Sequence, residues 1–389
     1  MNPKSMSEWA ALSARLLILF SPLGIDWYLP ALPSLVTAFG VQANLSMAAY
    51  LIPLGVGRLL FGPLGDRYGK RRVSLLGVLI FILASLLLFT VQTLEGLIAY
   101  RVMQGIGASA CSVCAMALIR DYFEGDQAAR EYSFLGGMLN VVPFLAPVMG
   151  ALVLLYLDWR ASFMALALMA SVVLLALWRW MPRDRARLHD APLGLFDPLK
   201  NTAFVFYSFC SAWALAIILT YVTLAPGLFI HTFGWSALAF SLFFAANAGI
   251  ISLGFFMVSK LLKRYTAPVI LRVSMLLMSV GGVLMLLLEP MGGVVSFVIP
   301  MVAISFLFGG VMAPANSLAM NEFAAGTGRA SAILGCLQMS LSALVSGFLS
   351  QQTISAPMAI GLVCVCAMLG LLGVDGFLQR RNKLSDARV

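Results

Sequence analysis

The sequence predicts an all-α membrane protein of twelve transmembrane helices in two pseudo-symmetric six-helix bundles, and three observations carry that reading. The 389 residues are 61% hydrophobic and only 11% charged, with a mean hydropathy of +0.96. A soluble domain is nearer half apolar and about a quarter charged. The apolar residues arrive in continuous blocks of about 20, each enough to cross roughly 30 Å of hydrocarbon as helix. Finally, Lys and Arg gather in the connections on one side only. The runs are continuous, not alternating, which disfavours a β-barrel.

Twelve spans are expected at 12–34, 44–64, 73–92, 95–118, 132–156, 160–181, 202–225, 235–258, 267–288, 294–318, 327–349 and 354–378. The first follows Lys4, Glu8 and Arg15 and has no clear small-residue cleavage site, so it reads as a retained helix rather than a removed signal. The longest polar connection, 182–201, divides an N-terminal bundle, 1–181, from a C-terminal bundle, 202–378, with a tail at 379–389. Arg67, Lys70, Arg71, Arg72, Arg120, Arg130, Arg183, Arg185, Arg187, Lys260, Lys263 and Arg264 all fall on the side of the N-terminus, and Arg160 alone lies opposite. The expected topology has both termini and the central loop in the cytoplasm, in an inner membrane of bacterial type. That asymmetry also accounts for the net charge of +9 without nucleic acid.

The six cysteines all fall in apolar spans and show no disulfide framework. Cys111 and Cys114 form a C-x-x-C, but nothing polar surrounds them, and small side chains at helix contacts are the simpler reading. No metal site is expected. The halves echo each other weakly: RDYFEGDQAAREYSFLGG after the fourth span resembles NEFAAGTGRASAILGC after the tenth. Such repeats accompany rocking of two bundles about a site between them.

Few polar groups lie inside the spans. Asp26 stands about 20 Å along the first helix, past its midpoint toward the outer side, flanked by Pro22, Gly24, Pro30 and Pro33. A carboxylate at that depth costs several kcal/mol unless it faces a cavity, pairs or takes up a proton. A fixed ion pair or cap is the structural alternative. Arg101 and Gln104 open the fourth span in RVMQGIGAS. Arg101 either snorkels to the membrane's inner edge or is buried as a partner of a titrating acid. Asp26 and Arg101 are expected at different depths, coupled through water. Arg58, taken as some six residues from the cytoplasmic end of the second span, either snorkels or lines a central cavity. Tyr28, beside Asp26, is one of several aromatics that can line an apolar pocket. Asn140, Asn247 and Asn316 mark either a cavity or interhelical hydrogen bonds.

Two glycine-rich stretches complete the pattern. In GPLGDRYGKRR, 62–72, Gly62, Gly65 and Gly69 permit a tight turn, and Pro63 favours a helix end. Asp66 is placed to accept from a helix N-terminus, Arg67 to pair with an acid on another cytoplasmic segment, and the KRR run to hold this end inside. In GGMLNVVPFLAPVMG, 136–150, Pro143 and Pro147 share a face, and Gly136, Gly137 and Gly150 thin the helix. This reads as a kinked helix packed closely on another, a hinge or a seal.

These motifs resemble the major facilitator superfamily over the whole chain. The stretch 62–72 is similar to its signature between helices two and three, RVMQGIGAS to its fourth-helix motif, and GGMLNVVPFLAPVMG to the fifth-helix motif of antiporters. GIDWYLPALP at 24–33 is similar to the first helix of the Bcr/CflA branch of drug:proton antiporters. The resemblance implies the major facilitator fold and one cavity between the halves, opened alternately to either side. It implies proton and substrate coupling at the position of Asp26 and proton relay at that of Arg101. It also implies conformational exchange at Gly62, Asp66, Arg67 and Gly69. Arg58 departs from the pattern, where relatives carry an uncharged polar residue.

The function expected is proton-coupled efflux of small amphipathic, phenicol-like drugs. Export of a physiological metabolite (an amino-acid derivative, sugar or siderophore) is the alternative, and a non-transporting ligand sensor is a third reading. The expected partners are a small-molecule substrate and membrane lipid, with no nucleic acid, and the chain is expected to work as a monomer. No cofactor beyond the coupling proton is expected and no enzymatic activity. There is no Walker motif for ATP hydrolysis.

Overall fold

The structure is a computed structural model and describes residues 3–123, 125–182, 196–323 and 327–366. Fourteen α-helices succeed one another among these residues. The first crossing, Met6–Phe39, is broken into three: α1 (Pro3–Ile18), α2 (Phe20–Asp26) and α3 (Leu32–Phe39). A 3₁₀ turn, Leu29–Ala31, joins the last two. Pro30 and Pro33 withhold backbone donors here, so a continuous α-helical ladder cannot form. Then come α4 (Leu45–Tyr68), α5 (Lys70–Phe89), α6 (Leu94–Tyr122), α7 (Gly125–Tyr156) and α8 (Trp159–Trp180). The second half holds α9 (Thr202–Pro226), α10 (Ala237–Leu261), α11 (Ala267–Leu288), α12 (Gly293–Asn321), α13 (Thr327–Leu349) and α14 (Ala356–Cys366).

Eleven spans among the described residues are long and apolar enough to cross a membrane, and α14 adds a shorter apolar helix. The twelfth expected span, 354–378, is described only as far as Cys366; Asp375, the tail at 379–389 and most of the central connection lie outside the described residues. The first and seventh crossings are both irregular toward their outer ends, since α9 passes into a π-helical turn at Gly227–Thr232.

The helix ends follow from local chemistry. Thr93 caps α6 by accepting from the Gly96 N–H at 3.1 Å, and Asn201 caps α9 through the N–H groups of Ala203 and Phe204. Gly69 alone separates α4 from α5, with φ +92. Only glycine adopts that conformation without steric cost. Pro63 does not end α4 as expected: the helix continues through it to Tyr68. The ring lies on a partly exposed side of the helix, and the span simply runs on past the hydrocarbon.

Within the first half, α6 packs against α4 and α5, and α5 also against α8; in the second, α12 packs against α9, α10 and α11. Small residues make these approaches possible. A Cβ on Gly105 of α6 would strike the Tyr50 carbonyl of α4, and one on Gly309 of α12 would meet the backbone of Gly254 and Phe255 of α10. The bundles meet along two seams, α4 against α13 and α7 against α10. At the outer end, His231 Nε2 lies 3.4 Å from the Pro33 carbonyl. Gln351 Nε2 donates to the Val41 carbonyl at 3.4 Å.

Candidate functional site: buried charges in the N-terminal bundle

Asp26 ends α2 at the break in the first crossing, with 5% of its surface exposed. Among the described residues it has neither an ion pair nor a hydrogen bond. Two residues on, Tyr28 is fully buried, and its hydroxyl lies 3.3 Å from Ser46 Oγ of α4. Trp27, between them, has a buried indole N–H without a partner.

Arg101 projects from α6 into this cluster and is fully buried. Its guanidinium carbon lies 4.2 Å from the Tyr28 ring centroid and 4.4 Å from that of Tyr50. The two rings supply cation–π attraction in place of water. Nε donates to the Ser46 carbonyl at 3.2 Å, and Nη1 to Gln104 Oε1 at 2.5 Å. Gln104 in turn donates to Ser85 Oγ of α5 at 2.8 Å. Nη2 is buried without a partner. Tyr50 donates to the carbonyls of Phe20 and Ser21, pinning α2 to α4.

Asp26, Tyr28, Arg101 and Gln104 therefore belong to one neighbourhood, which decides one alternative and corrects one expectation. Of the two readings of Arg101 the buried one holds: it lies about 10 Å from the start of α6, seven residues after Leu94. The different depths expected for Asp26 and Arg101 are overturned by the stacking of Arg101 on Tyr28. The fourth crossing begins at the end of the bundle where the first one finishes, so a residue early in it shares the level of one late in the first.

Arg58 lies elsewhere. It is thirteen residues into α4 with ten still to follow, about 20 Å from the first residue and about 15 Å from the last by helical rise. Its side chain crosses the seam to α13, where a Cβ on Gly335 would collide with Nη1.

The inner connection forms a second cluster. Asp66 pairs with Lys70 at 3.3 Å and Arg120 at 3.6 Å. Lys70 Nζ also meets Asp121 Oδ2 at 2.6 Å, and both side chains are buried. Lys70 is thus no mere topological anchor, and Asp121 is a residue that sequence reasoning missed. Arg71 donates to the Trp178 carbonyl at 2.6 Å. Arg67 lies over the Tyr68 ring at 5.3 Å and forms no ion pair among the described residues. Of the loop glycines only Gly69 is required by its backbone; Gly62 has nothing within 4 Å of a built Cβ.

In α7, Pro143 and Pro147 lie within the helix, and Pro147 is buried. A Cβ on Gly150 would strike the Trp27 carbonyl, so this glycine sets the approach of α7 to the first crossing. Gly137 has open space around it. The second half carries one polar cluster without a formal charge: Gln338 donates to Ser211 Oγ at 3.0 Å and to Asn316 Oδ1 at 2.8 Å. Gln338 was also missed, although an amide inside an apolar span is the same signal that marked Asn316.

The sequence profile of the Major Facilitator Superfamily matches residues 16–347. The chain belongs to the major facilitator superfamily. It is a multi-pass membrane transporter and not an enzyme. A chloramphenicol resistance protein of Pseudomonas aeruginosa is 33% identical, with 96% of this chain and 95% of the relative aligned. The multidrug resistance protein MdtL of Salmonella schwarzengrund is 30% identical, covering 94% of each. Among solved structures, a D-xylose–proton symporter superposes with a TM-score of 0.73 at 16% identity, covering 94% of this chain and 96% of that one. A bacterial homologue of the lysosomal transporter Spinster, in an inward-facing and unoccupied conformation, gives 0.72 at 14% identity and 98% of each chain. At these identities the structural likenesses speak for the fold alone. This major facilitator chain thus has the architecture that its hydropathy and motifs predict.

Proposed function

We propose that this transporter exports small amphipathic, phenicol-like drugs from the cytoplasm in exchange for protons, with Asp26 as the proton-carrying group. The observation that carries the reading is a carboxyl group deep in the first crossing that has no ion pair and no hydrogen bond among the described residues. A charge held permanently there is costly, whereas a group that is neutral with a proton and charged without one is stable in turn in dry and wet surroundings. A structural acid would have acquired a fixed cation. Relatives of nearly full-length coverage named for chloramphenicol and multidrug resistance support the substrate class.

Arg101 fits a supporting role. Its charge is fixed within a cage of Tyr28, Tyr50 and Gln104, next to the segment that bears Asp26. Alternation is assigned to rocking at the two seams, with Gly150, Pro143 and Pro147 on α7 and the cluster around Asp66 and Lys70 at the inner end. The outer contacts of His231 with Pro33 and Gln351 with Val41 support a state closed to the outside. The proposal places the chain in a bacterial inner membrane, termini inward, working as a monomer.

The test is flux of a drug panel into everted vesicles with an acid interior. Accumulation that disappears when the gradient is collapsed is expected. Uptake unchanged without the gradient would remove proton coupling.

A further inference from the structure

We infer that Arg58 is a substrate-binding residue that receives the electronegative or anionic pole of the transported molecule, and that the cavity discriminates against cationic amphiphiles. The inference rests on reading the chain as an exporter with a cavity between the bundles, and it names the charge class of the cargo.

Three observations carry it. First, Arg58 stands inside α4, about 20 Å from its first residue and about 15 Å from its last, where a lone guanidinium must face water or a partner. Second, it is not neutralised: among the described residues it makes no ion pair and no hydrogen bond, the Cys336 thiol of α13 lies near it, and its side chain is only partly buried. None of its nitrogens is sealed from solvent in the way that Arg101 Nη2 is. A partly accessible, unneutralised cation in mid-membrane opens onto an aqueous space and not onto lipid. Third, it lies on the seam. The stem and Nη1 extend over Gly335 of α13, where any side chain would displace them. The groove that holds the arginine is therefore contributed by both bundles, which is where a substrate exchanged by rocking must bind.

The balance of charge fixes the sign of the preference. Deep in the described spans and without an ion pair stand Asp26, Arg58 and Arg101. Arg15 is neutralised by Glu131 at 2.8 Å. Two cations against one acid make the interior positive, more so when Asp26 carries a proton. The polar groups of the second half, Gln338, Asn316 and Ser211, add no charge. A cationic amphiphile finds no free acid in the proton-loaded state, whereas a sulfonate, carboxylate or nitro group finds the five donors of a guanidinium. Arg101 does not compete for that role, since its guanidinium is enclosed by Tyr28, Tyr50 and Gln104.

The test is equilibrium binding to the purified full-length protein in lipid nanodiscs, with no gradient. Three probes share one naphthalene body: a naphthalenesulfonate, its neutral sulfonamide and a naphthylmethyl-trimethylammonium. The wild type is expected to bind the sulfonate tightest and the ammonium weakest. Arg58→Gln is expected to weaken the sulfonate about tenfold or more and to leave the sulfonamide within about twofold. Arg58→Lys retains part of the preference, and Gly335→Ala, which keeps the charge but displaces it, loses part. The ranking in the wild type requires no variant, so a misfolded Arg58→Gln does not shield the inference. Ammonium binding equal to or tighter than sulfonate, no sulfonate binding to the wild type, or unchanged sulfonate affinity in a folded Arg58→Gln each overturn it. Because no gradient enters, failure of proton coupling in vesicles leaves this result standing, and the reverse also holds.

Discussion

Lys70 and Asp121 form an ion pair of 2.6 Å between the start of α5 and the end of α6, with side chains only 7% and 2% exposed. The pair ties the inner turn, through Asp66 and Arg120, to the helix that carries Arg101. Removing one member leaves a buried charge with only its longer-range partner, Asp66 at 3.3 Å for Lys70 or Arg120 at 3.7 Å for Asp121, at a cost below the about 3–5 kcal/mol of a wholly uncompensated buried charge. Lys70→Met and Asp121→Leu are each expected to lower the thermal unfolding midpoint of the purified protein. The double variant Lys70→Met/Asp121→Leu recovers much of the loss. A double variant with the summed loss of the two singles would show that the charges do not depend on each other.

Asp26→Asn is expected to fold, insert and bind drug, yet to lose gradient-driven accumulation. The amide matches the protonated acid in shape but cannot release a proton. Side-by-side flux and binding measurements decide the matter. Full accumulation in this variant takes Asp26 out of the coupling.

The seam between α4 and α13 offers a direct test of rocking. A Cβ on Gly347 would lie 3.0 Å from that of Ala48, so the helices need part by only about half an ångström to reach the roughly 3.5–4.5 Å that a disulfide bridges. The pair Ala48→Cys/Gly347→Cys, in a background lacking other cysteines, is expected to cross-link on oxidation. Transport should stop and return on reduction. Undiminished flux in a fully cross-linked sample would mean that this seam stays shut throughout the cycle.

Gly150→Val is expected to cost about 1–3 kcal/mol, because the added atoms meet a carbonyl of the broken first crossing and not a yielding side chain. Gly137→Ala, with open space around it, is expected to be near neutral in stability. Unfolding midpoints of the two variants, compared in one detergent, check the contrast.

How much of the fold and the site is legible in the sequence follows from the kind of information each feature needs. Hydropathy registers a span whatever its neighbours, and the basic connections register its direction, so the crossings are readable. Asp26, Arg101 and Arg58 stand out because a charge in an apolar run is conspicuous. Their partners are not readable. Arg101 meets Ser46 across 55 residues of sequence, and Lys70 meets Asp121 across 51. In a helix apolar on every side, nothing indicates which face turns inward. Lys70 is hidden for another reason: a lysine among arginines at a membrane edge is adequately explained as a topological anchor, so its sequence neighbours give no cause to look for a buried acid. The irregular turns at Leu29–Ala31 and Gly227–Thr232 are half visible, since prolines announce the first but a π-helical turn has no comparable marker.

The broken first crossing has a mechanical consequence. The piece that touches the opposite bundle at the outer rim, α3, is eight residues long and joined to α2 by a short turn poor in backbone hydrogen bonds. Tyr50 clamps the inner neighbour, α2, but not this outer piece. The His231–Pro33 contact therefore sits on a short piece hinged at a proline elbow, apart from the Gln351–Val41 contact beyond it, and the two fastenings of this rim belong to separate segments.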